Sequence, residues 1–431
     1  MADCDTIFAL SSGQPPAGIA VIRISGPHAG EALSALAGKL PEPRRATLAW
    51  LRRPGQGGVL DHALTLWFPG PDTATGEDLA ELHLHGGRSV IAAVSHSLGQ
   101  LPGLRPARAG EFTRRAFENG RIDLAEAEGL ADLLAAETEA QRRNALAMAS
   151  GELSREVERW RRDLLAASAR IEAILDFSDE DDVGEQDAEL LVASVRIADE
   201  IERRLARPSA ERLRDGVRVV LAGPPNAGKS TLLNALVGRE AAITAPTAGT
   251  TRDLIEAPVA MGGMAYLLTD TAGLRDDGAE EIERIGVERA RNALDLADII
   301  LWLDMVETSP DPARSIIVHA RADLAGREAT PSFADVAVSA KTGHGMERLV
   351  ALIGERAREL LPAEGEVALN RRQRSVLAEC VEALRASEGS NDLILVAEAN
   401  RLGRAALDRL TGRAGVEDML DALFGAFCIG K

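Results

Sequence analysis

The chain is poor in cysteine, in aromatic residues and in positive charge. Cys4, Cys380 and Cys428 are its three thiols among 431 residues. An odd number so widely spaced excludes a disulfide framework and offers no zinc-ligand spacing, so a reducing compartment is expected. Aromatic residues make up 3% of the chain, which argues against a stacking platform for single-stranded nucleic acid. Against 67 acidic residues stand 49 basic ones, a net charge of −18, so any nucleic-acid contact needs a local basic patch or a partner. No apolar run reaches the roughly 18 residues of a membrane helix. The opening MADCDTIFAL carries two acids and no basic stretch, against a signal peptide. A cytoplasmic protein without a membrane contact is expected.

What is present is the composition of a folded protein, 45% hydrophobic and 27% charged, long enough for more than one core. Residues 1–118 mix short alternating apolar runs with Gly/Pro turns. Gly18–Gly26, Ala63–Gly70 and Leu79–Gly87 read as strands between helices in an α+β domain. Residues 119–215 change to Leu, Ala, Glu and Arg with apolar spacings of three and four, as in Leu124, Ala127, Leu130, Leu133 and Leu134. An acidic stretch from Ser178 to Asp187 reads as a solvated loop between two helices. Residues 216–365 alternate buried-type strands (217–222, 266–269, 298–304, 315–318, 336–338) with helical segments, the pattern of a parallel sheet wrapped by helices. The helical pattern returns in 366–431, with Gln373, Val376, Leu377, Cys380, Val381 and Leu384 in register. The expected fold is multidomain α/β and α: an α+β domain, then a helical domain split in sequence by an inserted α/β domain.

Gly223-Pro-Pro-Asn-Ala-Gly-Lys-Ser230 matches G-x-x-x-x-G-K-[ST] between a strand and a helix, the context such a loop requires. Its glycines let backbone N–H groups wrap a phosphate at a helix N-terminus. Lys229 is expected on the outer phosphates and Ser230 on Mg²⁺. Asp270-Thr271-Ala272-Gly273 follows a strand, with Asp270 placed to reach Mg²⁺ through water and Gly273 to sense a γ-phosphate. Between them, Thr247 to Asp253 includes Thr251, which can complete the metal shell. These elements in this order predict a switch-type GTPase. Ser339-Ala340-Lys341 reads as the loop supporting the base. Ala320-Arg321-Ala322-Asp323 stands where GTPases have Asn-Lys-x-Asp. Asp323 can still pair with the guanine N1 and N2 donors, so weaker binding with guanine preference kept is expected.

Ras-like enzymes orient the attacking water with a Gln after the second switch glycine; here that residue is Leu274, and no arginine finger is evident. Asn226 can offer an oxygen to a monovalent cation beside the phosphates, where K⁺ would supply the missing charge. Glu283 can orient the water. On spacing alone, a turn residue and a solvated helix carboxylate are the simpler readings. His83 and His85 are read as facing opposite sides of their strand, against a metal pair. Cys428 has no His/Asp arrangement pointing to it and stands as a possible functional thiol.

Taken together, Asn226 in the phosphate loop, Ala248-Gly-Thr-Thr-Arg-Asp253, Asp270-Thr-Ala-Gly-Leu-Arg275 with Glu283-Arg-Ile-Gly286, and Phe427-Cys-Ile-Gly-Lys431 resemble the tRNA-modification GTPase MnmE (TrmE) family. Arg23-Ile-Ser-Gly26, Glu81 to Gly87, Arg105 to Phe117 and Asp123 to Leu134 extend the resemblance over the whole chain. It implies an N-terminal folate-binding and dimerisation domain, a helical domain and an inserted Ras-like P-loop domain. It implies a homodimer working with the flavoprotein MnmG (GidA) in a heterotetramer or larger complex. Together they would add a carboxymethylaminomethyl or aminomethyl group to C5 of the tRNA wobble uridine, using 5-formyl- or 5,10-methylene-tetrahydrofolate. By position, the GTP site would include Asn226, Ala227, Gly228, Lys229, Ser230 and Thr231. The switches would add Ala245, Pro246, Thr247, Ala248, Gly249, Thr250, Thr251, Asp270, Thr271, Ala272 and Gly273, and the base loops Asp323, Ser339, Ala340 and Lys341. K⁺ would be held by Asn226, Ala245, Thr247 and Thr250, and Mg²⁺ by Ser230 and Thr251. The family usually has Thr where Ala245 stands, a change that keeps the backbone carbonyl. Glu283, Asp270 and Arg252 would serve hydrolysis. Folate would meet Arg23, Glu81, Arg121 and Lys431.

Two other functions fit parts of the pattern. A ribosome-assembly GTPase would share the switches, but such proteins usually carry a basic RNA-binding module, and none is evident. A nucleotide-switched scaffold with weak hydrolysis would suit the altered Ala320–Asp323 segment.

Overall fold

Alternation of apolar and polar side chains fixes which face of each strand is buried, and it accounts for the first sheet. The computed structural model describes residues 5–176, 186–239, 241–242, 256–271, 280–327, 329–363, 365–390, 392–414, 417–425 and 427–430. They fall into two compact units, residues 1–131 with 408–431, and residues 132–407.

The first unit holds a six-stranded sheet of β1 (Thr6–Leu10), β2 (Ile19–Ser25), β3 (Thr47–Arg52), β4 (Val59–Phe68), β5 (Leu79–His85) and β6 (Leu104–Pro106). Their order is β3-β4-β5-β2-β1-β6, antiparallel except for the β1–β6 pair. Ala20, Ile22, Ile24, Ala80, Leu82 and Leu84 point to one face, where they pack with Leu33 and Leu36 of helix Ala29–Ala37 and Val94 and Leu98 of helix Arg88–Gly99. The other face carries Ile19, Leu48 and Trp50, 64%, 62% and 54% exposed, with Trp50 stacked on His62 at 4.1 Å between ring centroids. His83 and His85 both belong to this open face together with Glu81, since residues two apart in a strand share a side. That corrects the expectation that the two histidines face apart. They are separated by partners instead, His83 with Glu81 and His85 with Asp61.

Helix Glu111–Glu118 is tied into this unit by Arg115, which is 8% exposed and ion-paired to Asp5, Glu77 and Glu111. The start of helix Leu124–Ala135 packs Leu124 and Ala127 against Leu420, Phe424 and Phe427. Beyond them Ile429 of the C-terminal segment forms an isolated β-bridge with Ala109, in the segment before helix Glu111–Glu118. A Cβ on Gly430 would lie 2.0 Å from the Leu10 carbonyl oxygen, so that close approach requires glycine.

The second unit contains a seven-stranded, mostly parallel sheet. Its strands are β7 (Val217–Ala222), β8 (Ala241–Ala242), β9 (Glu256–Met261), β10 (Met264–Asp270), β11 (Ile299–Trp302), β12 (Ser315–Ala320) and β13 (Val336–Val338). The order is β13-β12-β11-β7-β10-β9-β8, parallel from β13 to β10. Val217, Val219 and Leu221 face helices Lys229–Arg239 and Met346–Leu360, while Val220 and Ala222 face helix Glu280–Leu296. A strand buried on both faces needs the continuous apolar run that β7 has.

Helices Glu139–Ala149 and Arg371–Arg385 each begin with a reciprocal capping box, Thr138 with Gln141 and Asn370 with Gln373. Trp160 of helix Glu152–Asp176 is fully buried and donates its indole N–H to Glu200 at 2.9 Å. Of the expected stripe, Gln373, Leu377, Cys380 and Leu384 are buried, whereas Val376 and Val381 are half-buried. The acidic loop expected after Ser178 lies largely outside the described residues.

Candidate nucleotide and pterin sites

In parallel sheets the loops after the carboxyl ends of the strands gather on one edge, where ligands bind. β7 ends at Ala222 and leads into the loop from Gly223, with helix Lys229–Arg239 immediately after it. The loop needs backbone conformations that most residues avoid: Gly223 has φ +142°, Gly228 +106° and Asn226 +59°. Asparagine tolerates the left-handed region better than other side chains. Lys229 is buried, and its Nζ donates to the carbonyls of Gly223 at 3.0 Å and Pro224 at 2.9 Å. The ammonium is therefore held against the loop that wraps a phosphate.

At the end of β10, the Asp270 carboxylate accepts from the Ser230 hydroxyl. Thr271 donates its N–H and hydroxyl to the Leu221 carbonyl at 3.2 and 2.9 Å, which locks this strand end to β7. Ser230 and Asp270 thus bring two hard oxygens together, chemistry that suits Mg²⁺ held by Ser230 and reached by Asp270 through water.

A cleft of about 260 Å³ opens beside this loop, lined by Gly228, Thr231, Ala320, Arg321, Asp323, Ala340 and Lys341. The buried Ser339 donates its hydroxyl to Asp323 at 2.7 Å. That hydrogen bond first, then a backbone hydrogen bond and the charges of Lys341 and Arg321, hold the Asp323 carboxyl below its ordinary 3.8. An ionised carboxylate accepts hydrogen bonds and donates none, which suits a base edge made of N–H groups. The structure brings Asp323, Ala340 and Lys341, the residues expected at the base, to one cleft with Gly228 and Thr231 of the phosphate loop and its helix. Leu232, Leu324 and Val338 also line it and were not anticipated. Leu324 follows Asp323 directly and is 46% exposed, an apolar residue in a loop that could have been noticed.

The second cluster lies on the open face of the first sheet. Register pairs Arg23 with Glu81 across β2 and β5. Arg23 donates from Nε and Nη2 to Glu81 Oε1 at 3.1 and 3.0 Å, and His83 Nε2 lies 3.2 Å from Oε2. The Arg23 guanidinium also sits 5.9 Å from the Phe112 ring centroid. A carboxylate oriented through both oxygens can receive the N–H edge of a pterin. Arg121 pairs with Asp72 at 3.2 Å, and among the described residues no hydrogen bond or ion pair links it to Arg23 or Glu81. Neither His83 nor Phe112 was anticipated. His83 could have been found from its spacing to Glu81, whereas Phe112 comes from a distant helix and carries no such signal. Cys428 is exposed, with a free thiol.

Ala245, Pro246, Thr247, Ala248, Gly249, Thr250, Thr251, Arg252, Ala272, Gly273 and Lys431 lie outside the described residues. Glu283 falls in helix Glu280–Leu296, and its side chain is likewise outside the description.

Comparison with known proteins agrees with this architecture. Residues 6–121 match the family model described as the GTP-binding protein TrmE N-terminus, and residues 124–428 match that of the MnmE helical domain. The tRNA modification GTPase MnmE of Rhizorhabdus wittichii is 61% identical over 429 residues, 99% of this chain and 97% of that protein. Its namesake from Novosphingobium aromaticivorans is 61% identical over 438 residues, 99% of this chain and 100% of its own length. Among solved structures, the G domain of the T. maritima FeoB iron transporter is 25% identical over 33% of this chain and 98% of its own, at a TM-score of 0.24. With a family model spanning most of its length and relatives this similar over all of it, the chain belongs to the MnmE family of tRNA-modification GTPases.

Proposed function

We propose that the chain is a K⁺-stimulated GTP hydrolase which works with the flavoprotein MnmG (GidA) on tRNA. The pair would add a carboxymethylaminomethyl or aminomethyl group to C5 of the wobble uridine, with the one-carbon unit supplied by a tetrahydrofolate. The observation that carries the reading is the convergence of Lys229, the Ser230–Asp270 pair and the Ser339-held Asp323 on one sheet edge. In this site Lys229 binds the outer phosphates and Asp323 selects guanine. Ser230 and Thr251 hold Mg²⁺, which Asp270 reaches through water and which neutralises phosphate charge. Asn226, with Ala245, Thr247 and Thr250, holds K⁺, which supplies positive charge where an arginine finger would stand. Glu283 orients the attacking water, and Arg252 assists.

Folate binds at Arg23, Glu81 and Arg121, with Lys431 reaching the same region. We assign the open face of the first sheet, with its exposed Ile19, Leu48 and Trp50, to the homodimer contact, since a surface this apolar favours burial. The functional domains are proposed as 1–118, 119–215, 216–365 and 366–431. A tRNA substrate places the work in the cytoplasm. A nucleotide-switched scaffold with weak hydrolysis is the second reading, favoured by the amide missing at Ala320.

Steady-state GTP hydrolysis in K⁺ and in Na⁺ at equal ionic strength tests this, with Glu283→Ala alongside. Strong K⁺ stimulation lost in the variant is expected. Equal rates in both salts would remove the cation role of Asn226 and bring the scaffold forward.

A further inference from the structure

Guanine offers two kinds of edge. N1–H and the 2-amino group are donors, while O6 and N7 are acceptors. Asp323 is fixed to meet the first: Ser339 holds it at 2.7 Å, and the Thr342 N–H in turn donates to Ser339 Oγ at 3.2 Å.

At the start of the same loop the side chain is the methyl of Ala320, which has no donor to offer the other edge. The Ala320 carbonyl accepts from Arg327, Nε at 3.2 Å and Nη2 at 3.1 Å, and the Ala322 N–H donates to the Val338 carbonyl at 3.0 Å. The loop thus keeps its shape without a side-chain amide, and these backbone groups are already occupied. Arg321, Thr231 and Lys341 line the same cleft. The Arg321 backbone sits at φ +59°, and its Nε and Cγ would lie 3.6 and 3.9 Å from a Cβ on Gly228. That lays the side chain along the phosphate loop, where a guanidinium covers the face of a ring.

Resting on the GTPase reading above, we propose that this cleft reads guanine through its N1–H and 2-amino edge and, with no side-chain donor at position 320, leaves N7 unread. Guanine nucleotides altered at N7 are then ligands equal to the natural ones, and nucleotides lacking the 2-amino group are not.

The test is displacement of a fluorescent N-methylanthraniloyl-GDP from the full chain by GDP, 7-deaza-GDP, IDP and ADP. The first two should bind within about twofold of each other, and IDP about tenfold more weakly, the cost of one hydrogen bond to a charged group. In Ala320→Asn a side-chain donor returns, and 7-deaza-GDP should fall about fivefold behind GDP, as for one neutral hydrogen bond. A 7-deaza-GDP affinity about tenfold below that of GDP in the unaltered chain would overturn the proposal, and so would IDP binding as tightly as GDP. An Ala320→Asn chain that treats GDP and 7-deaza-GDP alike would overturn the assignment to position 320. ADP binding as tightly as GDP would instead sink the guanine reading itself, so the two failures are separable. If the variant does not fold, the unaltered chain alone decides.

Discussion

The nucleotide edge of the second unit and the open face of the first are both polar clusters on a sheet, but they are made in different ways. At the nucleotide edge, short contiguous runs following β7, β10, β12 and β13 bring their own backbone geometry, and the parallel sheet gathers their ends. On the open face, Arg23 and Glu81 are 58 residues apart, and cross-strand register alone makes them partners. A site made by loops tolerates changes in the strands beneath it. A site made by register fails whenever pairing slips, because a one-residue shift sends every side chain to the other face.

The comparison is broken most strongly by removing a charge that the loop itself carries. Lys229→Ala should lower single-turnover GTP hydrolysis by about 10²–10³-fold, the usual cost of losing a preorganised phosphate-stabilising group. An effect under tenfold would mean the buried ammonium serves the loop rather than the phosphates. On the register-built face, Glu81→Gln should weaken tetrahydrofolate binding by about tenfold to a hundredfold, as for a hydrogen bond to an ionised group. Isothermal titration would show it, and unchanged affinity would remove Glu81 from the pterin edge. Trp50→Ser should weaken self-association by about tenfold if this exposed ring is a contact anchor, read by sedimentation equilibrium; an unchanged dimer constant would move the interface elsewhere.

The smallest effect concerns the ion network under the first sheet. Burial pushes the Glu111 carboxyl up, but the Arg105 hydrogen bond, the Arg108 N–H and the charges of Arg105 and Arg115 together hold it below its ordinary 4.5. A depressed folded value means that Glu111 contributes stability fully above pH 4.5 and loses it as pH falls through the folded value. Urea midpoints should therefore be insensitive to Glu111→Gln only at the acid end of the range. A variant equally stable at pH 7 and pH 3 relative to the parent would contradict this.

Much of the architecture was legible in the sequence because it is periodic or contiguous. The strand Val217–Ala222 was expected at its observed ends, and a helix was expected directly behind the phosphate loop. The buried stripe from Gln373 to Leu384 followed from spacing alone. Asp323 was placed by motif, but its orientation by Ser339 and the bracing of Ala320 by Arg327 were not foreseen, because hydrogen-bond partners across loops leave no local pattern. Arg23 and Glu81 were grouped only through a family resemblance and their pairing was not foreseen, and the shared face of His83 and His85 was misjudged. Arg121 was grouped with that pair, yet its ion partner is Asp72.

The central claim is that the two differently built sites serve one reaction. It is tested most directly by reconstituting wobble-uridine modification with the full chain, the flavoprotein partner, a tetrahydrofolate, GTP and unmodified tRNA, read by mass spectrometry of the nucleosides. Product formation by the unaltered chain, and its loss in both Lys229→Ala and Glu81→Gln, is the result predicted. Full modification by either variant would show that the corresponding site works apart from the reaction.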